Sequence, residues 1–320
     1  MDVSVIVCTF NRSDGLRQTL ATFCALAVPA QLTWEVLVVD NNSNDDTRLV
    51  CESFAGRLPL RRVHEPRQGL SRARNRAITE ACGDLLLFTD DDVSVDSQWL
   101  AAYWNAAQQH PNIGVFGGKI LPHWEITPPQ WLRDNAATLL RPIAVHLDLG
   151  DKDVFIEHPR PVLWGPNMAF RKRVFTESIR FREDIGRRGQ DEVRGGETDL
   201  IQRLIEQGHR RLYVAGAIVR HRNRTERATE RYVFAYFKGA GITEVRVKGA
   251  PSSPHVWFGA PRYYWWKLVR SSVRYAASRA TRPSRIWVSA LAEMGRCWGV
   301  ISELRRLRRN AGSSPASAAG

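Results

Sequence analysis

Three consecutive aspartates, Asp90-Asp91-Asp92, follow directly on the apolar run Leu85-Leu86-Leu87-Phe88-Thr89. Carboxylates crowded at one strand end repel one another unless a cation neutralises them. A hard divalent ion with oxygen ligands, Mg2+ or Mn2+, suits such a cluster. An ion of this kind keeps some of its waters and bridges carboxylate to phosphate, so the cluster points to a phosphate-bearing substrate. Taken alone, an acidic triplet more often reads as a solvated loop capping the next helix. Two other polar residues end apolar runs in the same way, Thr9 after Val3–Cys8 and Asp40 after Trp34–Val39.

The elements that would position these residues alternate. The run Val3–Phe10 is β-branched and apolar almost throughout, which predicts a strand buried on both faces. Helix-like spacing follows at Leu16, Leu20 and Phe23, then a strand at Trp34–Asp40, a helix carrying Leu49, Val50 and Phe54, a short strand at Arg61–His64, a helix over 69–81 and a strand at Leu85–Thr89. This repetition predicts a doubly wound, mostly parallel α/β sheet. In such sheets ligands sit beyond the carboxyl ends of the strands, where Thr9, Asp40 and Asp90 all fall. Farther along, strands are expected at Val115–Ile120 and Leu212–Val219, and a helix at Asp199–Gln207.

Composition narrows the class. The chain has 320 residues, 43% of them hydrophobic, enough for a substantial core. Its five cysteines are scattered without a CxxC pair, which predicts reduced thiols in a cytosolic protein. The amino terminus lacks the secretory order of basic, apolar and cleavage segments, and no run of about 18 apolar residues predicts a spanning helix. The net charge of +13 is uneven. Residues 201–320 hold 23 Lys and Arg against 6 Asp and Glu, whereas the first 200 residues carry a balance of −4. An anionic surface is the natural partner of the carboxyl-terminal part.

The sequence resembles the family 2 glycosyltransferases, which have the type A nucleotide-sugar-binding fold. Six ordered motifs carry the likeness: Val5–Arg12, Val38–Ser43, Gly69–Asn75, Phe88–Asp92, Trp164–Arg171 and Gly195–Leu200. The resemblance covers residues 3–225 and says little beyond about 240. It implies that Thr9 and Asp40 hold the nucleotide base and ribose, with Asn11 and Arg12 of the first motif also on the substrate side. Arg72 or Arg74 would approach the diphosphate or base. Asp90 and Asp92 would form the metal-binding pair, Asp92 being the more direct ligand, and His221 would complete the metal shell. Asp91 would touch ribose or face solvent. Asn167 and Arg171 would line the acceptor side, and Trp164 would stack on a sugar ring. Family members usually show two adjacent acids before the Thr-Asp-Leu stretch. Here the first is Gly196, leaving Glu197 as general base, Asp199 second, and Asp191 and Glu192 as weaker candidates. Read from the residues alone, each arginine equally suits a solvated helix face, His221 a structural histidine and Trp164 a core side chain.

The implied reaction is a single in-line displacement that inverts the anomeric centre. The donor would be a nucleoside-diphosphate sugar, a UDP-sugar by default, and the acceptor a saccharide or lipid-linked hydroxyl. A loop around 184–196 would close over the donor. A nucleotidyltransferase would need a glycine-rich phosphate loop after the first strand, and Thr9-Phe10-Asn11-Arg12-Ser13 is not one. A basic nucleic-acid-binding protein would use residues 201–309, but no nucleic-acid motif is apparent there, so no nucleic acid is expected as a partner.

The domain expectation is a catalytic domain over 1–245, with a nucleotide-binding half over 1–115 and an acceptor half over 116–245. A basic amphipathic helical extension follows over 246–309, then a disordered tail over 310–320. In the extension Lys267, Arg270 and Arg274 are expected on one face, with Trp266, Val269 and Val273 elsewhere. A second stripe runs through Trp287, Leu291, Met294, Trp298 and Ile301. Such helices suit an anionic bilayer interface or ordinary packing on the catalytic domain. The expected location is cytoplasmic, peripheral on the inner face of the cell membrane.

Overall fold

The computed structural model describes residues 1–157, 163–187 and 193–312. Strands β1 (Val3–Thr9), β2 (Trp34–Asp40), β3 (Leu60–His64) and β4 (Leu85–Asp90) alternate with helices α1 (Ser13–Phe23), α2 (Thr47–Phe54) and α3 (Leu70–Glu80). There follow β5 (Val93–Val95), α4 (Trp99–Gln109), β6 (Val115–Trp124), α5 (Gln130–Asp134), α6 (Ala136–Ala144), β7 (Val154–Ile156), β8 (Met168–Arg171), α7 (Gly196–Glu206) and β9 (Arg211–Asn223). The sheet runs β3-β2-β1-β4-β8-β6-β9-β5, with β7 also on β9. Its first four strands are wholly parallel, as the largely apolar runs of β1, β2 and β4 predict. Register aligns Thr9 with Asp40, and Cys8 with Asp90, so three polar strand ends share one edge.

Beyond β4 the sheet is mixed. Strand β8 pairs antiparallel with both β4 and β6, and β5 pairs antiparallel with β9. Between β6 and β9 the register slips: Gly118 faces Val214, but Lys119 faces Ile218. Carbonyls displaced by such a bulge need new donors. Asn167 supplies them, its Nδ2 donating to Lys119 O at 2.9 Å and to Ala217 O at 2.7 Å. A side chain at Gly118 would put its Cβ 2.2 Å from that same Ala217 oxygen, so only glycine permits the approach.

The chain divides into two compact units. The first gathers Met1–Ile126, Leu140–Gly189 and Gly196–Arg224 and contains the sheet; the second gathers Thr127–Leu139, Gln190–Gly195 and Thr225–Gly320. Helix α8 (Glu230–Lys248) belongs to the second and runs across the 245/246 boundary drawn from composition. The hairpin strands β10 (Val256–Trp257) and β11 (Ala260–Pro261) and helices α9 (Arg262–Ser278) and α10 (Ser284–Gly312) complete it. Helices α8 and α10 meet through glycines: a Cβ at Gly241 would lie 2.2 Å from Arg296 O, and one at Gly299 2.0 Å from Lys238 O. Beside this crossing, buried Glu303 accepts from Arg246 at 2.8 Å and binds Arg306. Burial pushes its carboxyl upward, but the hydrogen bonds from Arg306 and Arg246 outweigh that and hold it at about 2.

Three expectations are corrected here. On α9 the apolar and basic residues interleave on one face: Trp266, Val269 and Val273 line the same recess as Tyr263, Lys267 and Arg270, at spacings of three or four. On α10, Trp287, Leu291 and Ile301 are buried, whereas Trp298 points outward. Residues 310–312, expected to open a disordered tail, close α10; the rest of that tail lies outside the described residues. No helix among the described residues is long and apolar enough to cross a membrane.

Candidate active site

The acidic triplet leaves the end of β4 and splits by direction. Asp91 turns inward, accepting from Thr9 Oγ1 at 2.8 Å and from Arg12 Nη1 at 3.1 Å. Arg12 Nη1 also reaches Asp92 Oδ2 at 3.0 Å, and the carboxylates hold its guanidinium firmly charged. Asp92 is buried, while Asp90 stays partly open. Burial and the neighbouring carboxylates push the Asp90 carboxyl up to about 6, with Arg74 pulling the other way.

His221 arrives from the far side of the sheet. The β5–β9 pairing sets it opposite Val93, one residue past Asp92. Its Nε2 lies 3.4 Å from Asp92 Oδ1. Asp90, Asp92 and His221 each present a ligand atom within 4.8 Å of the other two. Two carboxylates and an imidazole make a donor set suited to a divalent ion.

Arg74 connects this cluster to α7. Its side chain is buried, lies over the Phe181 ring, and sits 3.7 Å from Asp90 Oδ1 and 3.4 Å from Glu197 Oε2. Glu197 occupies the first turn of α7, where the helix dipole favours a carboxylate. Arg74, Asp90 and Glu197 thus form a chain of charges ending at the cluster.

At β2, Asp40 is buried, accepting from Ser43 N at 2.9 Å and Arg62 Nη1 at 2.9 Å. Asn41, which the sequence did not single out, ties the neighbouring loop by donating to the carbonyls of Glu65 and Arg67 and accepting from Gly69 N. Arg222 was also missed; it donates to Gly15 O and Thr19 Oγ1 and braces the turn beneath the acids. Asn41 lies within the Val38–Ser43 motif, yet nothing local shows what either residue binds, since every partner is distant in sequence.

Several expected site residues are employed elsewhere. Asn167 is fully buried; besides stitching the bulge, its Oδ1 accepts from Trp99 Nε1 and Tyr103 Oη, so its amide lines no acceptor surface. Arg171 pairs with Leu85, at the amino end of β4, and donates to the carbonyls of Ile113, Ala107 and His110, on the opposite edge from the acids. Asp199 binds Arg203 and Arg182 through its two oxygens. Arg72 points to Glu183 at 2.8 Å, as alternate α3 positions face different ways. Asn11 staples the β2–α2 loop, its Oδ1 accepting from Asn44 N. Asp91, expected at ribose or in solvent, is enclosed by Thr9 and Arg12. Asp191, Glu192 and part of the loop expected to close lie outside the described residues.

The sequence and the fold resemble those of known proteins. The sequence model for glycosyl transferase family 2 matches residues 4–178, more than half of the chain. A glucosyl-dolichyl phosphate glucuronosyltransferase of Haloferax volcanii is 26% identical over 228 residues, 69% of this chain and 69% of that protein. The succinoglycan biosynthesis protein ExoM of Rhizobium meliloti is 31% identical over 137 residues, 42% of this chain and 44% of its own length, so the match spans less than half of that relative. Among solved structures, a mannosyltransferase from Pyrobaculum calidifontis in complex with GDP-Man and Mn2+ shares the fold, with a TM-score of 0.55 at 17% identity over 98% of this chain and 76% of that one. The matched region contains the strand ends at Thr9, Asp40 and Asp90 and the whole acidic triplet, and on that match this chain belongs to glycosyl transferase family 2.

Proposed function

We propose that the chain transfers a sugar from a nucleoside-diphosphate sugar to an acceptor hydroxyl, with inversion at the anomeric carbon. The observation that carries this reading is the convergence of Asp90, Asp92 and His221 within 4.8 Å at the carboxyl ends of the parallel strands. These three residues would hold Mg2+ or Mn2+. Such an ion supplies Lewis-acid neutralisation of the charge that grows on the departing diphosphate.

The protein's own groups do the rest. Arg12 holds Asp91 and Asp92 in place, and Thr9 orients Asp91. Asp40 retains lone pairs for the N–H of a base or a ribose hydroxyl. Arg74 fixes the Glu197 carboxylate, which takes the acceptor's proton as the acceptor oxygen bonds to the anomeric carbon and the bond to the diphosphate oxygen breaks. The buried indole N–H of Trp164 has no hydrogen-bond partner among the described residues, and a sugar hydroxyl would satisfy it. The Haloferax relative's name points to a lipid-linked acceptor, which we adopt as the acceptor class to test first.

The test pairs binding with turnover. UDP- and GDP-sugars are screened by thermal shift with and without Mn2+, because a bound donor raises stability by mass action. Glu197→Gln is expected to keep the donor-induced shift and lose transfer by about a thousandfold. Normal turnover in that variant removes Glu197 from the role, and no shift with any sugar nucleotide removes the reading itself.

A further inference from the structure

Helix α9 packs Tyr264, Trp265 and Leu268 against the small core of its unit but leaves a second set of apolar side chains in water. Its inward side buries Ser271 (0% exposed) and Ser278, which become tolerable inside because their hydroxyls donate back to the carbonyls of Leu268 and Arg274. Its outward side carries Trp266 at 59% exposure, Val269 at 53% and Val273 at 63%. The hairpin before it adds Phe258 at 80% exposure, whose backbone takes a positive φ of 43° at the tip. Phe258 stands edge-on to Trp265 at 6.0 Å, and Trp257 lies 6.4 Å from Trp266, so tip and helix form one aromatic ridge. A positive φ is uncommon at a bulky residue, and a contiguous apolar patch left in water marks an interaction surface.

Charge says what that surface meets. Residues 245–292 contain nine Lys and Arg and not one Asp or Glu. Lys267 and Arg274 have no carboxylate partner among the described residues, and Arg270 meets Glu293 only at 3.9 Å while remaining 75% exposed. Tyr263, Trp266, Lys267, Val269, Arg270 and Val273 line one recess of about 520 Å³, where apolar and cationic side chains alternate. A protein partner's apolar interface would match the valines and tryptophan but leave these cations unpaired. A layer that is apolar beneath and anionic above matches both.

We propose that the α9 face and the 257–258 hairpin tip form a docking surface for an anionic phospholipid bilayer. Trp257, Phe258 and Trp266 enter the headgroup–acyl boundary while Lys267, Arg270 and Arg274 meet phosphate. The surface stands on observations separate from the acidic cluster and holds whether or not the reaction above is correct.

The experiment is co-sedimentation of the full chain with vesicles of phosphatidylcholine alone or mixed with phosphatidylglycerol. Expected is binding to the mixed vesicles, reversed by high salt, with a blue shift of tryptophan fluorescence. Trp266→Ala is expected to weaken partitioning about tenfold, and Lys267→Gln, Arg270→Gln and Arg274→Gln about fivefold each. All four side chains are solvent-facing, so unchanged melting curves and unchanged nucleotide-sugar shifts accompany these losses. No binding to phosphatidylglycerol vesicles at low salt overturns the proposal, as does binding that all four variants retain in full. A solution dimer that Trp266→Ala dissociates also overturns it, by assigning the face to a second copy of the chain.

Discussion

In the sheet-bearing unit apolar side chains point inward and charged ones gather, paired, at one end of the strands. On α9 of the helical unit two serines point inward, and a tryptophan and two valines point out. The first unit follows the rule that water imposes on a folded surface. The second departs from it along one face, yet beside that face it holds a buried carboxylate clasped by two arginines and a glycine-closed helix crossing. The departure is therefore local to a surface and not a sign of loose folding. Buried charge in one unit gathers at the candidate site, and in the other it lies beside a helix crossing.

The contrast can be broken by substitution. The largest effect is expected at the acids: Asp92→Asn or His221→Ala lowers turnover by about a thousandfold, with the melting temperature as control, and near-normal rates would mean the cluster is only structural. Next is the helix crossing. Gly241→Val forces a side chain against the Arg296 carbonyl and is expected to cost roughly 3 kcal/mol, read as a lowered transition in thermal unfolding. A smaller effect belongs to Glu303. Its folded pKa is depressed from 4.5 to about 2, so its contribution is complete above 4.5 and disappears as pH falls from there towards 2. Glu303→Gln therefore costs about 2 kcal/mol near neutrality and flattens the acid limb of the stability curve. Smallest is Arg72→Gln, which removes a half-exposed pair with Glu183 and is expected to change stability by about 0.5 kcal/mol and turnover by less than about twofold. A large loss there would return Arg72 to the substrate.

What the sequence revealed was local. Strands β1, β2 and β4 are largely apolar runs ending in Thr9, Asp40 and Asp90, so that the run and its terminal residue are adjacent in the chain. The acidic triplet stands out in a single stretch for the same reason, whereas His221 drew notice only through the family resemblance, since nothing beside it in the chain marks it. Strands β5, β7 and β8 are three or four residues long and exist because distant partners hold them, so no periodicity announces them. The work of Asn167 was hidden because its partners lie 48 to 68 residues away, and a motif position says nothing of which carbonyls a bulge has orphaned. Arg74 and Arg72 look alike in sequence; only the fold shows that one is enclosed beside Glu197 and the other turned to Glu183.

The slip between β6 and β9 settles which side chain the acids meet. Had the two strands continued in step from Gly118 and Val214, Ile218 would stand across from Pro122, where His221 now stands. An offset of three is odd, so the unslipped ladder would also turn each later side chain to the other face of the pleat. One carboxamide, bonding the two carbonyls at the slip, thus holds the frame in which an imidazole rather than a branched alkane reaches Asp92.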